Sequence, residues 1–328
     1  MTSLESSSWP SVTIAIPTLN GSAWLDSSMP DFLNQEYEGS FDVLLIDSGS
    51  TDGTAHLAEV HDRVTLHEIA PEAFGHGTTR NLAVGLSSSE LILLTVQDAR
   101  PRDLHWLTDL VRALETHQLD AVCGGQAAPH HRDVNPVEWY RPVSESREVT
   151  IVEGPEFIEW TPQMQMERNG WDNVNALYRR SALLDLPFDD VRFGEDMMWA
   201  KSWLEQGGKI GYAHHCKVWH YHHHNPEYTR KRELNALYWQ WKIFRSPPRP
   251  CAKPSALDLI RTLKILLINS GILNPFTIAY WLRYNWVKKT TQARSGLEFT
   301  RALSEGESEL DALYASLGTH APMAKMTS

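Results

Sequence analysis

Two adjacent carboxylates, Glu195 and Asp196, follow Gly194 at the start of a segment in which Met198, Trp199 and Trp203 recur at helical spacing. That placement sets both acids at the positive end of a helix, where one would serve as a general base or both would cap the helix. A third carboxylate, Asp98, lies in Gln97-Asp98-Ala99, directly after the apolar run Leu91–Val96. An oxygen ligand there suits Mg2+ or Mn2+ bridging two phosphates; the alternative is a turn-forming Asp before Arg100-Pro101. His220, His222 and His224 alternate, so an extended backbone would place three imidazoles on one face. Such a face would bind a metal or assist a pyrophosphate and its ion.

Three further loops gather small and polar residues behind apolar, β-branched runs. They are Pro17-Thr18-Leu19-Asn20 after Val12–Ile16, the stretch from Asp47 to Thr54 after Phe41–Ile46, and the stretch from Phe74 to Asn81 after Val64–Ile69. Asp47 or Ser48, at a strand end, would hydrogen-bond a pyrimidine or ribose, whereas Asp52 reads as the cap of the next helix. Gly75-His76-Gly77 followed by Arg80-Asn81 brings a guanidinium to a helix start, a means of meeting a base or a diphosphate. Glycines in such a loop also serve simply as turn formers.

The elements that must position these loops follow from their rhythm. The four apolar runs recur roughly every 20–30 residues with helix-capable stretches between them, namely Gly53–Asp62, Thr78–Leu86 and a fresh helix from Met29-Pro30. The predicted fold class is α/β, a mainly parallel central sheet flanked by helices, with ligands beyond the carboxyl ends of its strands. Downstream, a helix through Glu205 and a strand-like run from Ile210 to His224 are expected. Tryptophans between Val134 and Trp171 suggest an acceptor trough or a filled core; Trp139, Trp160, Trp171 and Trp219 offer faces for sugar stacking. Successive prolines across 245–250 cannot continue a helix and mark a boundary. Beyond it lie helical patterns over Ser255–Ile268, Pro275–Lys289 and near Ser304–Leu317.

The domain plan is therefore a disordered lead over 1–10, a catalytic domain over 11–245, a C-terminal helical region over 246–318 and a flexible tail over 319–328. The chain has 328 residues and a formal net charge of −11, which argues against a nucleic-acid partner, because a phosphate backbone is gripped by surplus Lys and Arg. Three widely spaced cysteines fit neither a disulfide framework nor a paired-cysteine zinc site, and with no signal-like start a cytoplasmic setting is expected. Ile265 to Leu282 carries no charge, but Asn269, Ser270, Gly271, Asn274 and Pro275 interrupt it, so a spanning helix is not expected. With Arg261, Lys264, Arg283, Lys288 and Lys289 around Trp281 and Trp286, this region reads either as amphipathic helices on a membrane surface, at its inner face, or as a helical cap on the core.

Six blocks in this order resemble family 2 glycosyltransferases of the GT-A fold, especially the bacterial rhamnosyltransferase-like branch. They are Ile16-Pro17-Thr18-Leu19-Asn20, Ile46 through Thr54, Phe74 through Asn81, Gln97-Asp98-Ala99, Gly194-Glu195-Asp196 and Val218-Trp219-His220-Tyr221-His222. The resemblance runs from about Val12 to Arg245. It implies an inverting transfer of a sugar, rhamnose among the candidates, from a nucleoside-diphosphate donor to a hydroxyl of a saccharide or lipid-linked acceptor in cell-envelope polysaccharide synthesis. Pro17, Thr18, Asn20, Asp47, Ser48, Arg80, Gln97 and Asp98 are expected around the nucleotide sugar, Asp196 as the base, and Glu195 as its substitute or as a group orienting the acceptor. The family's usual Asp-X-Asp is Gln97-Asp98-Ala99 here, so His220 or His222 is expected to complete the coordination of a divalent cation with Asp98. A histidine-ligated metal hydrolase and a noncatalytic carbohydrate-binding protein are the alternatives.

Overall fold

The computed structural model describes residues 9–139, 145–249, 251–269 and 274–318. The expected lead as far as residue 8, the expected tail and the interruption at Ser270 and Gly271 lie outside them. The described chain groups into two compact units. One contains the residues up to Ala127 together with Val143–Trp160 and Asn169–His220; the other contains Ala128–Pro142, Thr161–Arg168 and the chain from Tyr221 onward.

The first unit is built on nine strands: β1 Val12–Thr18, β2 Phe41–Asp47, β3 Val64–Glu68, β4 Leu91–Thr95, β5 Arg100–Pro101, β6 Ala121–Ala127, β7 Thr150–Glu153, β8 Asn175–Arg179 and β9 Lys209–Trp219. Their order is β3-β2-β1-β4-β8-β6-β9-β5, with β7 also paired to β9. The four runs read from the sequence form one parallel block, β3-β2-β1-β4. Beyond it, β8 runs antiparallel to β4 and β6, β6 and β9 are parallel, and β5 and β7 pair antiparallel with β9. The parallel description thus holds for the first half, and the second half mixes both senses.

Alternation along the strands explains why nearly every residue is apolar. Val12, Ile14, Ile16, Val43, Leu45, Leu91 and Leu93 enter one buried cluster, while Ala15, Leu44, Ile46, Ile92 and Leu94 enter another. A period of two delivers side chains to both faces, and both are covered. Helix Ser22–Leu33 does not restart at Pro30 as expected but runs through it. Proline removes one donor and crowds the carbonyl four residues back, but Leu25, Met29 and Phe32 are wholly buried on that helix, which outweighs that cost. The helix expected over Gly53–Asp62 is confined to His56–Val60.

The second unit is helical, with helices Pro226–Phe244, Ala256–Ile268, Pro275–Glu305 and Glu307–Ser316 among its elements. Asn225, Ser255 and Asn274 cap the first three by accepting from the backbone amides of Tyr228, Asp258 and Thr277. Leu234, Leu237, Phe299, Ala302 and Leu310 form its main core. The division at His220, rather than near Arg245, reflects helix Pro226–Phe244 burying its apolar residues with the later helices; at Arg245 that helix ends in a left-handed residue, φ 52°.

Candidate active site

Parallel register brings the ends of β1 and β2 level, with Thr18 opposite Asp47, and the loop after β4 closes on both. Gln97 accepts from Thr18 Oγ1 at 2.9 Å and from the Leu19 amide at 2.8 Å, and its own amide donates to the Leu19 carbonyl at 3.2 Å. Asn20, at φ 49°, receives Ser50 Oγ as acceptor at its amide, 2.7 Å, and its side-chain oxygen accepts from the Thr51 amide at 2.9 Å. Asp47 is buried and accepts from the Ser50 amide at 3.0 Å and from the Ser50 hydroxyl; the Ser48 amide donates to the Thr18 carbonyl at 3.0 Å. These loops therefore form a preorganised rim beside the partly exposed Pro17. Gln97 and Asn20 act in it as clamps on the backbone. Asp52 does not cap the following helix but accepts from Ser22 and Thr54. Although burial opposes it, those hydrogen bonds bring its carboxyl down to about 2.

The second cluster lies where β5 and β6 meet the end of β9. Arg100 pairs with Trp219 across β5 and β9, and the His220 amide continues the β6 pairing by donating to the Ala127 carbonyl at 2.9 Å. Asp98 and His220 are thereby brought together, with Oδ1 3.5 Å from Nε2. The other imidazole nitrogen, Nδ1, meets Gln126 Oε1 at 2.8 Å, and Gln126 Nε2 donates to Asp172 Oδ2 at 2.8 Å. A carboxylate only accepts, so it orients the Gln126 amide with Oε1 towards His220 and assigns Nδ1 as the donor of that bond. Nε2 is then a ligand atom facing Asp98, with the carboxylate–amide–imidazole backing typical of metal-binding histidine. The donor set fits a divalent cation.

The third cluster opens helix Glu195–Glu205. Gly194 caps it in the left-handed region, φ 80°, where a side chain would be strained, and Glu195 and Asp196 follow in its first turn. Glu195 is 5 % exposed and is paired with Arg80 Nη1 at 2.5 Å. A buried relay supports it: Trp171 Nε1 donates to Tyr178 Oη at 2.7 Å, Tyr178 to Asn173 Oδ1 at 2.6 Å, and Asn173 Nδ2 to Glu195 Oε1 at 3.5 Å. Asp196, half-buried as a residue, accepts from the backbone amides of Met197 at 2.7 Å and Asn173 at 3.2 Å. Desolvation, then the charges of Glu195 and Asp172, push it up to about 8 despite Arg80. A helix N-terminus favours the charged form by about 0.3–1 kcal/mol, less than one pKa unit, and is outweighed.

Several expectations are corrected by this geometry. Arg80, 5 % exposed, turns its guanidinium to Glu195 and to the His76 carbonyl, and Glu195 is likewise buried. Gly77 lies in the first turn of helix His76–Leu86, where an added Cβ would stand 2.2 Å from the Asp189 carbonyl; close packing, not flexibility, requires it. β9 ends at Trp219, so His220, His222 and His224 do not share a strand face. His222 belongs to the second unit and stacks on His224. Trp171 is enclosed by Tyr178, Trp199 and Tyr212, and Trp139 is buried against His130; neither is a stacking platform. Sequence reading missed Gln126, Asp172, Asn173 and Tyr178, whose signal is only the polar Asp172-Asn173 step between an apolar Trp171 and the strand β8.

The profile of glycosyl transferase family 2 matches residues 13–184. The chain belongs to this family and is a glycosyltransferase of GT-A fold. It is 31 % identical over 239 residues to the O-antigen chain rhamnosyltransferase RfbN of Salmonella typhimurium, covering 72 % of each chain. It is 30 % identical over 228 residues to the O-antigen chain rhamnosyltransferase WbaN of Salmonella anatum, covering 68 % of this chain and 70 % of that one. Among solved structures, the mannosyltransferase PcManGT from Pyrobaculum calidifontis in complex with GDP-Man and Mn2+ has a TM-score of 0.53 at 22 % identity, covering 94 % of this chain and 79 % of that one. S. aureus TarS 1-349 in complex with UDP-GlcNAc has a TM-score of 0.54 at 14 % identity, covering 94 % and 90 %. Membership in the family removes the hydrolase and noncatalytic alternatives.

Proposed function

We propose that the protein transfers a sugar, with rhamnose as the first candidate, from a nucleoside diphosphate to a hydroxyl of a saccharide or lipid-linked acceptor, with inversion, in cytoplasmic assembly of a cell-envelope polysaccharide. The names of the two Salmonella relatives support the sugar and the pathway class. The observation that carries the chemistry is Asp196, at the start of helix Glu195–Glu205, whose carboxyl is raised well above the ordinary carboxylate range by desolvation and by the charges of Glu195 and Asp172, towards the range where a general base works best.

In this reading Pro17, Thr18, Asn20, Asp47 and Ser48 form the rim that receives the nucleotide, and Gln97 keeps that rim in shape. The acceptor oxygen attacks the anomeric carbon as the bond to the diphosphate oxygen breaks, through an oxocarbenium-like state, and the acceptor proton passes to Asp196. Arg80 is paired with Glu195 and holds it in place, so we assign proton uptake to Asp196. Asp98 and His220 are the residues we assign to a divalent cation, Mg2+ or Mn2+, with His222, two residues further along the chain, as the third. When bound, the cation neutralises the charge developing on the leaving diphosphate.

Incubation with a panel of labelled nucleotide sugars tests the reading. Release of nucleoside diphosphate with free or transferred sugar, greatest with the rhamnose donor, is expected; no turnover of any donor would contradict it. Titration of manganese should show weakened binding in a His220→Ala, His222→Ala double variant, and unchanged affinity would remove both histidines from the assignment.

A further inference from the structure

Helix Ala256–Ile268 of the second unit carries its polarity the wrong way round for a helix buried in a core. Asp258, Arg261, Thr262 and Ile265 line one side of a cleft of about 590 Å3. The opposite stripe, Ile260, Leu263, Lys264, Leu267 and Ile268, borders a separate shallow depression. Ile260 is 60 %, Leu267 53 % and Ile268 66 % exposed. On the next helix Phe276 is 87 % exposed, and Tyr280 and Trp286 are also open. More than half of the exposed large apolar side chains among the described residues fall between Leu257 and Trp286. Monomeric proteins seldom leave such a patch uncovered.

The charges in this stretch select the occupant. The whole chain carries −11, yet Lys253, Arg261, Lys264, Arg283, Lys288 and Lys289 face a single acid, Asp258, between residues 251 and 289. Lys288 is paired with Glu138 and Lys289 with Asp258, while Lys253, Arg261, Lys264 and Arg283 are exposed. A second copy using the same patch would bring together two surfaces with the same excess of basic residues and no exposed acid between residues 251 and 289 to pair with them. An anionic lipid surface meets both the apolar stripe and its basic flanks, with Tyr280 and Trp286 suited to the headgroup level. Among the described residues no helix is long and apolar enough to cross a membrane, so the contact lies in the interface plane.

We infer that the stripe of Ile260, Leu263, Leu267 and Ile268, with Lys264 within it, docks the protein onto an anionic bilayer. This inference does not depend on the transfer chemistry. Its test is flotation of the full chain with vesicles of phosphatidylcholine alone and of phosphatidylcholine containing phosphatidylglycerol. The protein should float with the anionic vesicles, and partitioning should fall about tenfold in an Ile260→Glu, Leu267→Glu double variant and about fivefold in Lys264→Gln. Leu297→Glu, at a site 54 % exposed outside the patch, should float as the parent does. All variants should keep the parent melting temperature and, with a soluble acceptor, its turnover. Equal flotation of the Ile260→Glu, Leu267→Glu variant, or equal recovery on vesicles lacking anionic lipid, would overturn the inference. So would a dimer in sedimentation velocity that the same double substitution disperses.

Discussion

At the loop after β4 a single carboxylate, Asp98, faces an imidazole whose far nitrogen is fixed by an amide and a second carboxylate. At the start of helix Glu195–Glu205 two carboxylates are adjacent in sequence, and the one nearby guanidinium is committed to Glu195. The first arrangement sets a carboxylate oxygen beside an imidazole nitrogen, 3.5 Å apart. In the second, desolvation and two like charges raise the Asp196 carboxyl well above the ordinary carboxylate range. The difference lies in where the counter-charge sits: Arg80 reaches Glu195 from helix His76–Leu86, and Asp196 is left to backbone amides, whose hydrogen bonds do not offset desolvation and two like charges.

Removing the carboxylate of Asp196 should have the largest effect. Asp196→Asn is expected to lower transfer by about 10²-fold or more with donor affinity nearly unchanged, as loss of a general base does; single-turnover rates and donor titration separate the two. The same substitution should alter stability in a pH-dependent way. A carboxyl raised in the folded state favours folding when protonated, so that contribution is present at low pH and is lost as pH rises towards about 8. The melting temperature of Asp196→Asn relative to the parent should therefore climb from about pH 4 to about pH 8.

Arg80→Ala should act through the other half of the comparison. It strips a buried Glu195 of its cation, a change that costs about 3–5 kcal/mol when one partner of a buried pair is removed. Denaturant unfolding should report that loss, and a variant as stable as the parent would show that the pair does not organise the helix start. Gln126→Leu should have the mildest effect, weakening manganese binding by about 10–100-fold through the loosened His220 ring while leaving nucleotide binding in the absence of metal intact.

Much of this was legible in the sequence. The apolar runs ending at Ile16, Ile46 and Val96 predict the parallel block, because burial on both faces demands near-continuous apolar residues; Thr18 and Asp47 close β1 and β2, and Asp98 lies in the loop after β4. The pairing of Arg80 with Glu195 was not legible, since 115 residues separate them and nothing local distinguishes a guanidinium aimed at a phosphate from one buried against a carboxylate. Gln126, Asp172 and Asn173 escaped because side-chain networks leave no periodic signal. The alternation of His220, His222 and His224 suggested a longer strand, but β6 ends at Ala127 and offers β9 no partner beyond His220.

The most direct measurement is the pH dependence of kcat/KM for transfer, which reports the free enzyme's essential groups. With Asp196 as the base, kcat/KM should rise with pH and level off above a midpoint near 8, and the residual activity of Asp196→Asn should lack that rise. A parent profile that is flat from pH 5 to pH 9, or the same rise persisting in Asp196→Asn, would contradict the assignment.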